Sequence, residues 1–290
     1  MNNEPPEKFP AAGPPEDASV NEAFEIGDVT GAETAEPEAE MLSEGEVEAA
    51  RLRGSNEYFR KMVDANFMEY ASYVIKDRAI PDVDDGLKPV QRRILWAMHR
   101  IDDNRTHKAA FVVGEVMGKY HPHGDASIKD ALVVLANKEY FIEKQGNFGN
   151  ILTGSPAAAA RYIECGLLPL AREVLFNDEI TPLVDTYDGR HQEPVVLPAK
   201  VPLLLLLGAE GIAVGMSTKI PPYNFCELLQ AEIAVLRKQD FELYPDFPQG
   251  GLMDVREYAD GAGRITLRAR IEIDGRKLVI REIPYSTTTE

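Results

Sequence analysis

The first regular pattern along the chain begins near Asn56, where apolar side chains recur at steps of three and four residues. This spacing places them on one face of an α-helix, as in an amphipathic helix that packs on a core. The apolar positions are Phe59, Met62, Val63, Phe67, Tyr70 and Val74. Pro81 and Gly86 then interrupt the pattern. We therefore expect one long helix that ends before an acidic turn at residues 81–86.

Three shorter helices are expected next. The first begins near Pro89, because proline is favoured in the first turn of a helix. The second covers roughly residues 107–119, and the third begins at Asp125 or Ser127, after a break at residues 121–124. A glycine-containing turn before the last helix is typical of helix-turn-helix DNA-binding domains, an outline that many other helical domains share.

Beyond residue 145 the pattern changes to glycine-rich loops and short apolar runs. The run Leu203–Leu207 predicts one buried strand. Residues 264–273 alternate with a period of two, Asp274 and Gly275 supply a turn, and residues 277–283 return as the second strand of a hairpin. These patterns predict an α+β protein. Because Glu290 follows the hairpin with no closing element, we expect the chain to be truncated.

Charge is distributed unevenly along the chain. The net charge is −17, and residues 1–50 hold fourteen Asp and Glu against one base, Lys8. This segment is rich in Pro, Ala and Gly and has little apolar surface to bury, so we expect residues 1–55 to be a disordered acidic tail. Between Arg51 and His123 the balance reverses to thirteen Lys and Arg against ten Asp and Glu. The overall acidity therefore does not exclude DNA, which requires local basic groups.

The sequence indicates a cytoplasmic protein. No run approaches the ~20 apolar residues that a membrane span needs. The first thirty residues lack the basic start and apolar stretch of a secretory signal. Two cysteines, Cys165 and Cys226, fit a reducing compartment, and they do not form a metal-type pair.

Several cationic side chains occur close together in the first half of the chain. They are Arg78, Lys88, Arg92, Arg93, His121 and His123. The two histidines flank Pro122 just before a helix, whose N-terminal amides favour anions, so the group would suit a phosphate backbone. Two alternatives stay open: an exposed arginine is often only solvated surface, and a His-x-His pair could ligate zinc if further ligands were near.

Arg161 and Tyr162 follow a run of four alanines, which would allow another surface to approach closely. A phenol with an ordinary pKa of about 10 is a poor nucleophile at neutral pH. A nearby cation such as Arg161 could stabilise the phenolate and the charge that develops on a phosphate during attack. By itself, an Arg-Tyr pair is far more often structural.

Six long segments in this order resemble the A subunits of DNA gyrase and topoisomerase IV, and the resemblance covers roughly residues 57–290. The segments are Tyr70–Asp82, Asp85–Arg93, Gly118–Asp125, Gln145–Gly149, Ala158–Glu164 and Gly211–Met216. The resemblance implies a winged-helix, CAP-like DNA-cleavage domain over residues 56–180. The start of a mixed α/β tower domain would follow over residues 181–290.

The resemblance also implies roles for individual residues. Tyr162 would attack a DNA phosphodiester and become linked to the 5′ phosphate, and Arg161 would stabilise the transition state. DNA contacts would come from Lys88, His121, His123, Arg78 and Arg92. Ile212 would wedge between base pairs, as apolar side chains do in other DNA-bending proteins, although it could instead be a core isoleucine.

Metal and nucleotide are expected from a partner rather than from this chain. The sequence has no GxxxxGK[ST] loop, and Asp82, Asp84 and Asp85 are expected to be loop surface rather than a Mg²⁺ cluster. The resemblance implies that the B subunit binds ATP and supplies most of the Mg²⁺ site. It further implies an A2B2 heterotetramer, built on a homodimer of A subunits, that acts on double-stranded DNA at the nucleoid.

At two places this sequence departs from residues that are common in the family. One bears on whether the chain resembles gyrase or topoisomerase IV, and the other bears on drug binding. Gln91 and the segment Gln192–Pro198 look more like topoisomerase IV than gyrase, which favours decatenation and relaxation. The alternatives that remain are a truncated, non-catalytic winged-helix module and a gyrase A subunit. In the family, a serine at the position of Ala126 and an acid at the position of Asp130 help to hold fluoroquinolones through a metal. Asp130 could instead form a capping box with Ser127.

Overall fold

The structure, a computed structural model, describes residues 44–289. Within these residues the chain divides into two compact units, one that ends at Tyr70 and one that begins at Ala71. The long helix predicted near Asn56 is present as α1, Glu44–Val74, and a π-helical turn follows at Ile75–Ala79. The helix begins inside the segment 1–55 that the sequence assigns to an acidic tail, so the end of that tail stays a prediction, and residues 1–43 lie outside the described residues.

The apolar stripe of α1 is not a buried face. Val74 is buried, and the other apolar positions of this face are exposed: Phe59, Met62, Val63, Phe67 and Tyr70. The spacing of apolar residues identifies a helix and its apolar side. It does not indicate whether another element packs against that side.

The three shorter helices are confirmed, with a short strand before the second. They are α2 (Pro89–Arg100), β1 (His107–Lys108), α3 (Ala109–Lys119) and α4 (Asp125–Ala136). At the start of α2, the Lys88 N–H donates to Gln91 Oε1 at 3.0 Å, which caps the helix. The expected capping box of α4 is wrong, because Ser127 Oγ donates to Gly124 O at 2.6 Å and Asp130 is exposed.

An antiparallel sheet packs beside these helices. Its remaining strands are β2 (Ile142–Gln145) and β3 (Glu164–Leu167), the strand order is β1-β3-β2, and α5 (Pro169–Leu175) follows. Helices and sheet share one core, whose fully buried members include Ile94, Ile128, Leu132, Phe141, Ile142, Ile163 and Leu175. Each such side chain contributes about 1.5–3 kcal/mol of burial free energy. The long loop between β2 and β3 contains Tyr162.

The rest of the second unit consists of short hairpins and two helices. They are β4 (Leu183–Asp185), β5 (Gln192–Pro194), α6 (Leu203–Leu207), β6 (Ala209–Ile212), β7 (Ser217–Ile220), α7 (Phe225–Leu236), β8 (Leu252–Glu257), β9 (Arg264–Arg268), β10 (Arg270–Asp274) and β11 (Lys277–Glu282). The mixture of helices and antiparallel strands agrees with the α+β prediction. The predicted boundary between residues 180 and 181 stays a prediction.

Two strand predictions are wrong in detail. Leu203–Leu207 forms a helix rather than a strand, and it buries Leu203, Leu206 and Leu207 at the spacing of one helix face. A continuous apolar run does not distinguish the two structures. The alternating segment 264–273 divides at Ala269, since β9 pairs with β8 and β10 pairs with β11. The predicted hairpin is confirmed, but its turn lies at Gly275 and Arg276, because Asp274 ends β10 and pairs with Lys277.

Among residues 44–289, no helix combines the length and the hydropathy that crossing a membrane requires.

Candidate functional site

Tyr162 is presented at the surface. Its side chain is 65% exposed, and the guanidinium carbon of Arg161 lies 4.6 Å from the centre of its ring. This distance is within the range of a cation–π contact. The next residue, Ile163, is buried and anchors the tyrosine to the core. A phenol is thereby held outward on a rigid base, with a cation beside it.

The start of α3 fixes the backbone of this segment. The amide of Ala109 donates to Ile163 O at 2.9 Å, and the amide of Ala110 donates to Ala160 O at 3.1 Å. Two of the amides that a helix leaves without an internal partner are thus satisfied by the loop. Tyr162 N–H donates to Ala159 O at 2.9 Å, which closes a tight turn. The position of Tyr162 is therefore set by backbone hydrogen bonds to α3.

A basic cluster is formed by Arg78, Arg93, His121 and His123. His121 is its most buried member and is 8% exposed. Arg93 Nη1 donates to its Nδ1 at 2.9 Å, and the same guanidinium forms a bidentate pair with Glu193 at 2.5 and 2.8 Å. Burial, and then the positive charge of Arg93, lowers the pKa of His121 to about 4. The ring is therefore neutral near pH 7.

His123 lies above His121, with 4.5 Å between the two ring centres. Its Nε2 is hydrogen-bonded to the Tyr73 hydroxyl at 2.7 Å. Burial, followed by the charges of Arg78 and Arg93, lowers the pKa of His123. Arg78 is exposed on the π-helical turn and adds positive charge near both rings. Three of the expected DNA-contacting residues, Arg78, His121 and His123, therefore come together.

Arg92 is a correction to the expected DNA-contacting set. It is 6% exposed, and its Nε and Nη2 donate to the two carboxylate oxygens of Asp85 at 2.6 and 2.8 Å. Asp85 is fully buried and also accepts the Leu197 N–H at 2.9 Å. Asp85 is therefore not loop surface, whereas Asp82 and Asp84 are exposed as expected. Arg92 and Asp85 hold the fold together, and Arg92 is not available to a phosphate.

Lys88 connects the start of α2 to the β6–β7 hairpin. Its Nζ donates to Glu210 O at 2.8 Å. Burial lowers the pKa of Lys88, and the charge of Glu210 partly opposes this shift. Gly211, the next residue of the hairpin, passes so close to the π-helical turn that a Cβ there would lie 2.2 Å from Ala79 O. The hairpin is thus fixed against the segment that carries Arg78.

Ile212 follows at the end of β6 and is 80% exposed. This exposure rules out the core alternative for Ile212. Ala126 and Asp130 are both exposed near the start of α4.

The sequence patterns did not predict three contacts around His121 and His123. These are the hydrogen bond of Tyr73 to His123, that of Arg93 to His121, and the pairing of Arg93 with Glu193. Glu193 is far from α2 along the chain and meets it only in the folded state. Within residues 44–289, no hydrogen bond or ion pair joins Arg161 or Tyr162 to the histidine cluster. The residues described also contain no group of three or more His, Cys, Asp or Glu side chains that could hold a metal ion. The described chain therefore offers no fit for a resident Mg²⁺.

Comparison with known proteins gives consistent results. The family model for the A subunit of DNA gyrase/topoisomerase IV matches residues 78–290. The A subunit of DNA topoisomerase 4 from Borreliella burgdorferi is 57% identical over 232 residues, which cover 80% of this chain and 37% of that protein. The DNA gyrase A subunit of Synechocystis is 44% identical over 79% of this chain and 30% of that protein. For the gyrase A subunit of Thermotoga maritima, the corresponding values are 45%, 77% and 31%. The chain thus spans 30–37% of the length of these relatives.

Proposed function

The chain belongs to the A-subunit family of DNA gyrase and topoisomerase IV, and from this premise we propose that it is the DNA-cleaving part of an ATP-dependent type II topoisomerase. The observation that carries the proposal is the outward phenol of Tyr162 with the Arg161 guanidinium 4.6 Å from its ring centre. An exposed aromatic side chain on a backbone fixed by α3 is suited to reach a phosphodiester from outside the protein.

The covalent step is a transfer of one phosphate ester bond. Tyr162 Oη loses its proton and forms a bond to phosphorus, the P–O3′ bond breaks, and the departing 3′ oxygen takes up a proton. The product is a 5′-phosphotyrosyl diester and a free 3′ hydroxyl. Arg161 stabilises the negative charge that builds on the phosphate oxygens. Because one diester replaces another, religation requires no nucleotide.

The element order supports a winged-helix DNA-binding domain as the cleavage domain. The order is helix, strand, two helices and two strands, and the strands form one antiparallel sheet in which the last strand is central. In this arrangement α3 and α4 form the helix-turn-helix, and the loop between β2 and β3 is the wing that carries Tyr162. Residues 56–180 form this domain, and residues 181–290 begin the tower.

The basic cluster supplies the DNA surface. Arg78, Lys88, His121 and His123 contact the phosphate backbone, which sets the register of the duplex without reading its sequence. Ile212 enters the base stack from the hairpin that Lys88 and Gly211 hold in place, and it bends the cleaved segment. The exposed position of Ile212 supports this role.

Further components come from partner subunits. The B subunit binds ATP and supplies the Mg²⁺ site, in an A2B2 assembly with two copies of this chain. Metal from the partner would stabilise charge on the scissile phosphate. This chain binds the duplex, positions Tyr162 and provides Arg161.

We assign the activity to the topoisomerase IV type, in which decatenation exceeds supercoiling. Identity of 57% to the A subunit of a topoisomerase 4, against 44% and 45% to two gyrase A subunits, supports this assignment. A gyrase A subunit is the second candidate, which the identity to the gyrase subunits supports.

The proposal is tested with the A subunit that contains this chain, mixed with its B subunit, Mg²⁺, ATP and either catenated or relaxed circular DNA. Tyr162→Phe should abolish double-strand cleavage while DNA binding is retained, because only the nucleophilic oxygen is removed. Cleavage by this variant would refute the proposal. Supercoiling of relaxed circles, faster than decatenation, would favour the gyrase type.

A further inference from the structure

A partly buried chain of hydrogen bonds connects β5, α2 and the segment before α4. Its members are Glu193, Arg93 and His121. We propose that Glu193 and Arg93 are positioning residues, which hold the His121 ring in the tautomer that carries its proton on Nε2. The inference rests on the proposed function, in which His121 contacts the DNA backbone.

The geometry of these hydrogen bonds leaves Arg93 little freedom. Its Nε and Nη2 donate to the two oxygens of Glu193, and its Nη1 donates to His121 Nδ1 at 2.9 Å. Glu193 is itself buried, so a guanidinium that turned away would leave an unpaired carboxylate in the interior. Trp96 Nε1 donates to Gln192 O at 3.2 Å and ties β5 to α2.

Arg93 decides which nitrogen of His121 carries the proton. A guanidinium has only donors, so Nδ1 must accept, and the neutral ring then carries its proton on Nε2. That nitrogen can donate to a phosphate oxygen. The opposite tautomer would present a lone pair there and repel the phosphate. Since the pKa of His121 is lowered to about 4 by burial and by Arg93, protonation cannot supply the donor at neutral pH.

The charged and titratable groups that face this ring come from several elements. They are Arg93 from α2 with Glu193 behind it, Arg78 from the π-helical turn, and His123 with its partner Tyr73. Of these groups, only Arg93 makes a hydrogen bond to Nδ1. Loss of Glu193 should therefore release Nδ1 and allow both tautomers. The pKa of the ring should stay below its ordinary value, because burial, the largest cause of the lowering, remains in the variant.

The test is the pH dependence of covalent-complex formation by Glu193→Gln, measured in single turnover with Mg²⁺ and the B subunit. At about pH 8 the variant should form the complex about ten-fold more slowly than the parent protein, the effect expected for one hydrogen bond to a charged group. The defect should persist at about pH 6, because burial still holds the pKa of His121 down and the ring stays neutral. The matched control is Glu173→Gln, which removes the exposed partner of Lys200 and should leave the profile unchanged.

The outcomes distinguish a failure of the positioning role from a failure of the proposed function. No defect in the variant, or a ¹⁵N spectrum of the variant in which His121 still carries its proton on Nε2 alone, would overturn the positioning role. Absence of a covalent complex in the parent protein at all pH values would instead refute the proposed function. A direct readout that needs neither catalysis nor a folded variant is the ¹⁵N spectrum of histidine-labelled parent chain. His121 with its proton on Nδ1 would overturn the inference.

Discussion

At the residue scale, the adjacent side chains Arg92 and Arg93 have different roles. Arg92 is buried against Asp85, which also accepts the amide of Leu197 and so connects the start of α2 to a distant segment. Arg93 reaches Glu193 and His121 instead. The charge of Arg92 therefore contributes to stability, and the charge of Arg93 shapes the candidate DNA surface.

Arg92→Ala should lower the free energy of unfolding by about 3–5 kcal/mol, since it leaves the buried Asp85 carboxylate without its partner. Thermal or urea unfolding of the chain measures the loss. The control is Arg190→Ala, which breaks an exposed pair with Asp188 and should cost no more than about 1 kcal/mol. A stable Arg92→Ala protein that has lost only DNA affinity would contradict the structural role.

Ile212→Ala should leave stability unchanged, because the side chain is already 80% exposed. It should reduce the bending of a bound duplex by removing the wedge. The bend is measured by energy transfer between dyes at the two ends of a short DNA. Ile273→Ala removes an equally exposed isoleucine from β10 and should not alter the bend. Equal effects of the two substitutions would show that Ile212 is ordinary surface.

At the scale of elements, sequence periodicity predicted α2, α3, α4 and the β10–β11 hairpin well, because caps and spacing act locally. It failed for Leu203–Leu207, where five leucines fit either a strand or a helix. It predicted the apolar face of α1 but not the exposure of that face, because the presence of a packing partner is not encoded locally.

The same limit applies to the candidate site. The motifs selected Tyr162, Arg161 and the two histidines. They did not separate Arg92 from Arg93, and they did not reveal Glu193. These distinctions depend on contacts between residues that are distant in sequence, such as the pair of Arg93 with Glu193.

The close packing of the β6–β7 hairpin gives a prediction at this scale. Gly211→Ala should destabilise the chain by about 1–3 kcal/mol, because its Cβ would lie 2.2 Å from Ala79 O and push the hairpin away. Gly118→Ala in α3 meets no atom within 4 Å and should instead stabilise by about 0.5–1 kcal/mol. Unfolding curves of both variants provide the comparison, and the same sign for both would contradict the close contact of Gly211 with Ala79.

At the scale of the whole molecule, the net charge of −17 coexists with local basic and exposed apolar groups that the proposed function assigns to DNA binding. The second unit provides Tyr162 with its cation, the histidine cluster and the Ile212 hairpin. Its described residues provide no cluster that could hold a metal. In the proposed function, the partner subunit supplies the metal for cleavage.

The most direct measurement of the central claim is the identity of the amino acid that becomes linked to DNA. The A subunit that contains this chain is incubated with its B subunit, Mg²⁺ and supercoiled DNA, then treated with detergent and protease. The DNA-linked peptide is sequenced by mass spectrometry. We predict a 5′-phosphotyrosyl peptide that contains Tyr162, absent from Tyr162→Phe and unchanged in the exposed control Tyr187→Phe. An adduct on any other residue, or one that persists in Tyr162→Phe, would contradict the assignment.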